Sequence, residues 1–165
     1  MIKELEVNSI TDVSFADYGY LISNENIKPK MEENTFTFWD DLAEMNIEGK
    51  TGFAILEVNK RSKDFTNLER HVKTEEVFFA IDKDVVVLVG KATQNQEVPE
   101  IETVKAFKLE NGKGVLLYKG TWHWLPYPLA KKARLLVIFQ QGTADYDLEI
   151  KNLKKLKGIT FCIKI

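Results

Sequence analysis

From Thr51 onward, the chain turns to short runs of β-branched and aromatic residues separated by turn chemistry, the pattern of strands and not of a helix. Gly52-Phe53-Ala54-Ile55-Leu56-Glu57-Val58 is one such run, and Phe65 to His71 is the next. Val77 to Ile81 and Val85 to Val89 follow, with Asp82-Lys83-Asp84 between them as a tight turn. After a loop over Gln94 to Pro99 come Thr103 to Leu109, an Asn111-Gly112 turn of the hairpin type, and Gly114 to Tyr118. Arg134 to Gln140 and Ile159 to Ile165 complete the strong strands. The last of these is apolar to its final residue, so it requires a neighbour within the sheet or across a dimer.

Upstream the pattern is weaker. Leu5-Glu6-Val7 reads as a short first strand, and Ser14 as the cap of a helical turn over Phe15 to Tyr18 that ends at Gly19. Ser23 to Asn34 is polar, holds Pro29 and has no period, as a surface loop would. Trp39 to Met45 reads either as one helical turn or as a strand leading into a turn. Lys151 to Lys157 reads as a solvated basic face. About ten short strands with few helices predict an all-β sandwich or barrel. A double-sheet jelly roll closes around a cavity at one mouth, the default place for a site.

Composition narrows the class. At 165 residues and 44% apolar, the chain has the size of one domain, 1–165, that buries a full core without staples. The single cysteine, Cys162, excludes an intramolecular disulfide and fits a reducing compartment. A net charge of -2 gives no electrostatic footprint for nucleic acid. Met1 to Glu6 carries charges where a signal peptide has an apolar core, and no apolar run is long enough to cross a bilayer. The expectation is a cytoplasmic domain with a small-molecule partner, not nucleic acid or a membrane.

The candidate chemistry lies in two segments that hold both histidines of the chain: Leu68-Glu69-Arg70-His71-Val72-Lys73-Thr74-Glu75-Glu76 and Gly120-Thr121-Trp122-His123. On a strand, Glu69 and His71 share one face while Arg70 takes the other. His123 then comes from a separate strand. Two neutral imidazoles with Glu69 and either Glu75 or Glu76 make a shell for a divalent metal with open positions; manganese, iron, nickel and zinc all accept such ligands. Unbroken alternation from His71 favours Glu75, and an intervening turn leaves Glu76 open. Trp122 and Trp124 read first as cavity wall or core.

These two segments resemble the paired motifs of the cupins. Glu69-x-His71 followed by Glu75 or Glu76 is similar to the first motif, with Glu69 where histidine is usual, and Gly120-Thr121-Trp122-His123 resembles the second. A narrower resemblance, from Phe15 to about Gly142, is to the ureidoglycolate lyase family. Phe15-Ala16-Asp17-Tyr18-Gly19, Trp39-Asp40-Asp41-Leu42-Ala43, Leu68-Glu69-Arg70-His71 and the stretch from Asn111 to His123 match that family's motifs in order. The chain departs from it at Leu117, Glu76, Gln140 and the lengthened Trp124-Leu125-Pro126-Tyr127-Pro128-Leu129.

The resemblance implies a cupin-type double-stranded β-helix, a jelly-roll barrel with a few short helical turns. It implies cleavage of ureidoglycolate to glyoxylate and urea. His71, Glu76 and His123 would hold the metal, with Glu69 as ligand or base; without metal, a histidine would be the base. Trp122, Arg70 and Trp39 are the candidate substrate contacts, Arg70 as a carboxylate anchor unless it faces outward. A homodimer is expected. Two other outcomes stay open: a metal-dependent cupin isomerase or dioxygenase acting on another small hydroxy or keto acid or sugar, and a cupin that binds a ligand without turnover.

Overall fold

The computed structural model describes residues 1–94 and 97–165. In chain order the strands are β1 (Ile2–Ser9), β2 (Gly19–Ile22), β3 (Met31–Glu32), β4 (Thr37–Phe38), β5 (Thr51–Asn59), β6 (Asp64–Phe65), β7 (Asn67–Arg70) and β8 (Glu76–Ala80). They continue with β9 (Val85–Gly90), β10 (Lys105–Leu109), β11 (Gly114–Leu117), β12 (Trp122–Pro128), β13 (Lys132–Gln140), β14 (Glu149–Asn152) and β15 (Thr160–Lys164). Short helices α1 (Asp12–Phe15), α2 (Thr143–Tyr146) and α3 (Leu153–Lys157) fill connections. One sheet runs β14-β7-β12-β9-β10-β1-β15-β6, a second β2-β11-β8-β13-β5, and β3 with β4 forms a separate small hairpin.

The two large sheets face each other, and the chain passes between them at successive corners. Asp82 to Asp84 carries it from β8 in the smaller sheet to β9 in the larger, and β12 and β13 again lie in different sheets. The Asn111-Gly112 turn does the same between β10 and β11. It is therefore not a hairpin turn, although Gly112 takes φ +82, as such a turn requires. Its amide donates to Ala80 O across the corner. This alternation makes the expected all-β barrel of the double-stranded β-helix type.

Burial explains the sequence of β9. Val85, Val87 and Val89 belong to the inner core with Phe15, Tyr18, Phe78, Phe107, Leu117 and Leu135. Val86 and Leu88 join a second cluster on the outer face of the larger sheet, with Leu68, Trp122, Tyr127, Leu153 and Phe161. A strand covered on both faces has no solvent-facing positions, so the run carries no polar alternate.

Several local expectations change. Thr11, not Ser14, caps α1; Ser14 closes a capping box by accepting from the Thr11 amide, and Gly19 opens β2. The polar loop before Asn34 contains β3, and Trp39 to Met45 forms neither helix nor strand. The loop expected over Gln94 to Pro99 runs through Asn95 and Gln96, which lie outside the described residues. Lys151 to Lys157 is the end of β14 followed by α3, whose Leu153 is fully buried while its lysines face solvent. The terminal apolar strand finds its neighbours inside the sheet, between β1 and β6. The lengthened segment after His123 is a bulged strand, with its register shift between Trp124 and Tyr127, where Leu125 and Pro126 sit. The Arg61 guanidinium donates to the carbonyls of both residues and pins the bulge.

Candidate metal centre

Strand alternation delivers four polar side chains to the inside of an apolar barrel. Glu69 on β7 lies directly opposite His123 on β12, and His123 is opposite Val89 of the inner core. Glu76 opens β8, two residues before the inward Phe78, so it points inward as well. His71 stands just past the end of β7. His71, Glu76 and His123 are 6, 5 and 2% exposed, whereas Glu69 keeps 15% of its side chain open to solvent at the mouth of the cluster.

The groups converge. His123 Nε2 is 3.0 Å from Glu76 Oε2 and 3.6 Å from Glu69 Oε1, and His71 Nε2 is 3.8 Å from Glu76 Oε2. The two imidazole centroids are 5.2 Å apart. Glu69, His71 and His123 each offer a ligand atom within 4.8 Å of the others. Phe78 packs on His123 and Phe139 on His71 as an apolar wall.

The second ring nitrogens decide what these imidazoles can do. His71 Nδ1 is bonded to Asp147 O and His123 Nδ1 to Thr121 O. A carbonyl only accepts, so each Nδ1 carries the hydrogen and, in the neutral ring, Nε2 presents its lone pair to the cluster. Although close, His123 Nε2 and Glu76 Oε2 make no hydrogen bond and are buried polar atoms without partners. Two imidazole lone pairs and two carboxylates, among them the unpartnered His123 Nε2 and Glu76 Oε2, in an apolar chamber fit a divalent cation.

Charge supports the fit. Burial works against protonation of His123, but the Glu76 and Glu69 carboxylates outweigh it and raise its pKa to about 9. Burial raises the Glu69 carboxyl; Glu76 adds to that, and the two histidines oppose it. The chamber thus draws positive charge toward its two carboxylates.

Other sequence candidates stand elsewhere. Glu75 faces away from the chamber, accepting from the Asn46 amide at 2.7 Å. It lines a groove of about 760 Å³ with Tyr20, Leu42 and Tyr118, separate from the histidines. Arg70 takes the outer face. There its guanidinium lies 4.4 Å from the Trp122 ring centroid and binds Glu149 and Thr93 O. Trp122 is wholly buried in the outer cluster, donating to Thr93 Oγ1, and Trp39 donates to Ile27 O in the segment before β5.

Sequence reading missed Asp147. Its carbonyl orients His71, while its carboxylate accepts from the Val72 and Lys73 amides at 3.0 and 2.8 Å. Between Tyr146 and Leu148 in a short connection, it has no periodic signal. Phe139 was missed too, although alternation along β13 from Leu135 and Val137 would have sent it inward.

The family model for ureidoglycolate lyase matches residues 2–158. No protein of curated function matches the chain. Among solved structures it is similar to oxalate decarboxylase of Bacillus subtilis, at 15% identity and a TM-score of 0.43 over 64% of this chain and 24% of that one. It is also similar to a formate complex of Lactobacillus farciminis oxalate decarboxylase, at 16% identity and a TM-score of 0.43 over 64% and 27%. The chain thus spans about a quarter of the length of these structures. The family match takes in every strand from β1 to β14 and all four residues of the inner cluster, and by it this chain belongs to the ureidoglycolate lyase family.

Proposed function

We propose that the protein is a metal-dependent enzyme that eliminates urea from ureidoglycolate to give glyoxylate. The observation that carries this reading is the convergence of His71, His123, Glu76 and Glu69 around unpartnered buried donor atoms, in a chain of this family. Elimination breaks a C–N bond at a carbon that bears a hydroxyl. It needs a base for the hydroxyl proton, a proton for the departing urea nitrogen and positive charge beside the carboxylate.

His71, His123 and Glu76 would hold the metal. When bound, it supplies the positive charge that acidifies a hydroxyl and holds a carboxylate. Glu69 has the other role. It reaches solvent, lies 3.6 Å from His123 Nε2, and has a carboxyl whose pKa burial raises, which suits proton exchange closer to neutral pH. In this scheme Glu69 takes the hydroxyl proton as the carbonyl of glyoxylate forms, and returns a proton to the urea nitrogen. Phe78 and Phe139 keep water from the inner side of the chamber. Arg70 takes no part as carboxylate anchor, being engaged on the far face of β7.

One observation favours a second reading. The bulge after His123 and the residues Leu117 and Gln140 depart from the family pattern, and Leu117 is in the inner core. A metal-dependent reaction on another small hydroxy or keto acid fits the same chamber. Among the described residues, no helix is long and apolar enough to cross a membrane. Incubation with ureidoglycolate, with glyoxylate and urea assayed separately, tests the proposal. Both products should appear in equal amounts, and His71→Ala should abolish them along with most of the bound metal. A metal-loaded protein that releases neither product refutes the lyase reading and leaves the second.

A further inference from the structure

The turn that leads from β11 into β12 is tied to both histidines. The Thr121 amide donates to Tyr118 O at 3.0 Å, closing a four-residue turn in which Gly120 takes φ +80, as a type II turn requires at its third position. Two backbone groups of this turn reach the inner cluster. The Gly120 amide donates to His71 O at 2.6 Å, and Thr121 O accepts from His123 Nδ1 at 3.0 Å. Adjacent residues thus hold the main chain of one histidine and the ring of the other.

The turn is anchored to the core through Tyr18, which is wholly buried. Tyr18 O accepts from the Tyr118 amide and from Thr121 Oγ1, each at 3.0 Å. Thr121 itself is 1% exposed, where a hydroxyl is costly unless bonded. The Tyr118 amide already satisfies the Tyr18 carbonyl, so the hydroxyl bond is not needed there. What it adds is restraint. A β-branched side chain has few χ1 states, and fixing its tip fixes the residue whose carbonyl meets the His123 ring. A ring that swings away from that carbonyl carries Nε2 off the point where it lies 3.0 Å from Glu76 Oε2.

We infer that Thr121 is a positioning residue of the inner cluster: its hydroxyl, held by Tyr18 O, locks the turn whose Thr121 carbonyl aims the His123 ring and whose Gly120 amide keeps His71 beside it. The consequence for a bound metal rests on the function proposed above, whereas the restraint on the ring does not.

Two variants separate positioning from packing. Thr121→Val keeps the branched shape and removes the hydroxyl; Thr121→Ser keeps the hydroxyl and removes the methyl. In the metal-free protein, followed by NMR, the His123 Nδ1 proton should exchange with water about tenfold faster in Thr121→Val, the equivalent of one lost hydrogen bond. In Thr121→Ser it should exchange at the wild-type rate. Chelator competition with whichever of manganese, iron, nickel or zinc binds should show affinity about tenfold weaker in Thr121→Val and near wild type in Thr121→Ser. A packing role gives the reverse order, because only serine leaves a cavity. An unaltered exchange rate in Thr121→Val, or Thr121→Ser impaired as much as Thr121→Val, overturns the inference. If none of the four ions binds the wild type, the exchange rates still decide it, and the metal-dependent reading alone falls.

Discussion

In the proposed metal centre His71 and His123 would do the same job from different supports. His123 sits within β12 and is oriented by a carbonyl of its own segment, that of Thr121, so its ring is fixed by the strand itself. His71 lies beyond β7 in a turn that Asp147 holds by two amides and one carbonyl. Asp147→Ala keeps the carbonyl that meets His71 Nδ1 but releases the Val72 and Lys73 amides, so the barrel should stay folded while the turn that carries His71 loosens, and metal affinity should fall toward the lower end of the about 10–100-fold that losing an outer-shell partner costs. Competition titration with a chromophoric chelator reads this directly, and unchanged affinity would remove Asp147 from the site. Tyr18 carries a different kind of residue-scale consequence. Its hydroxyl donates to Thr103 O at 2.7 Å in the core, and burial, helped by Asp17, pushes its pKa up to about 12. The folded state thus favours the protonated phenol. That contribution is complete below the unfolded value near 10 and disappears as pH rises through about 12. Urea midpoints should fall between pH 10 and 12, and Tyr18→Phe should fall less over the same window.

At the scale of elements, close backbone approach is as decisive as hydrophobic pattern. A Cβ built on Gly19 would stand 1.7 Å from Leu116 O, so β2 joins β11 at this register only because position 19 has no side chain. Gly19→Ala should unfasten β2 and destabilise the fold by several kcal/mol, far more than its single methyl suggests, with a correspondingly large fall in melting temperature. A melt within a degree of wild type would show that β2 contributes little. Gly19 was legible in the sequence only as the end of a helical turn, since nothing local shows which carbonyl approaches it. The same limit explains the rest of the pattern. β5, β8, β9 and β13 were plain because long β-branched and aromatic runs report their own burial. β14 and α3 were hidden by lysines around a single deeply buried Leu153. The Asn111-Gly112 turn was read correctly as a turn, but whether it joins strands of one sheet or two depends on pairing at long range. Two histidines and Glu69 were identified from alternation and motif. The choice of Glu76 over Glu75 needed the break between β7 and β8, which resets the phase of the inward positions.

For the whole molecule, the chamber concentrates like charge in the middle of the fold. Glu69 and Glu76 face each other across two imidazoles, and burial disfavours the ionised form of Glu69. A cation placed there stabilises the native state by mass action, because the four groups come from β7, the turn after it, β8 and β12 and meet only when the barrel is closed. At a free metal concentration of about one hundred times Kd the gain is about 2.7 kcal/mol. For a domain of this length each kcal/mol moves the melting temperature by about 2–4 °C. The protein stripped with chelator should therefore melt roughly 5–10 °C below the same protein saturated with whichever of manganese, iron, nickel or zinc it prefers. His123→Ala should abolish the shift, and Arg70→Ala, on the outer face, should lower both melts equally and leave their difference intact. A wild-type melt that none of the four ions moves would mean that the chamber is stabilised by protonation of His123 instead, and the metal-dependent reaction would fall with it.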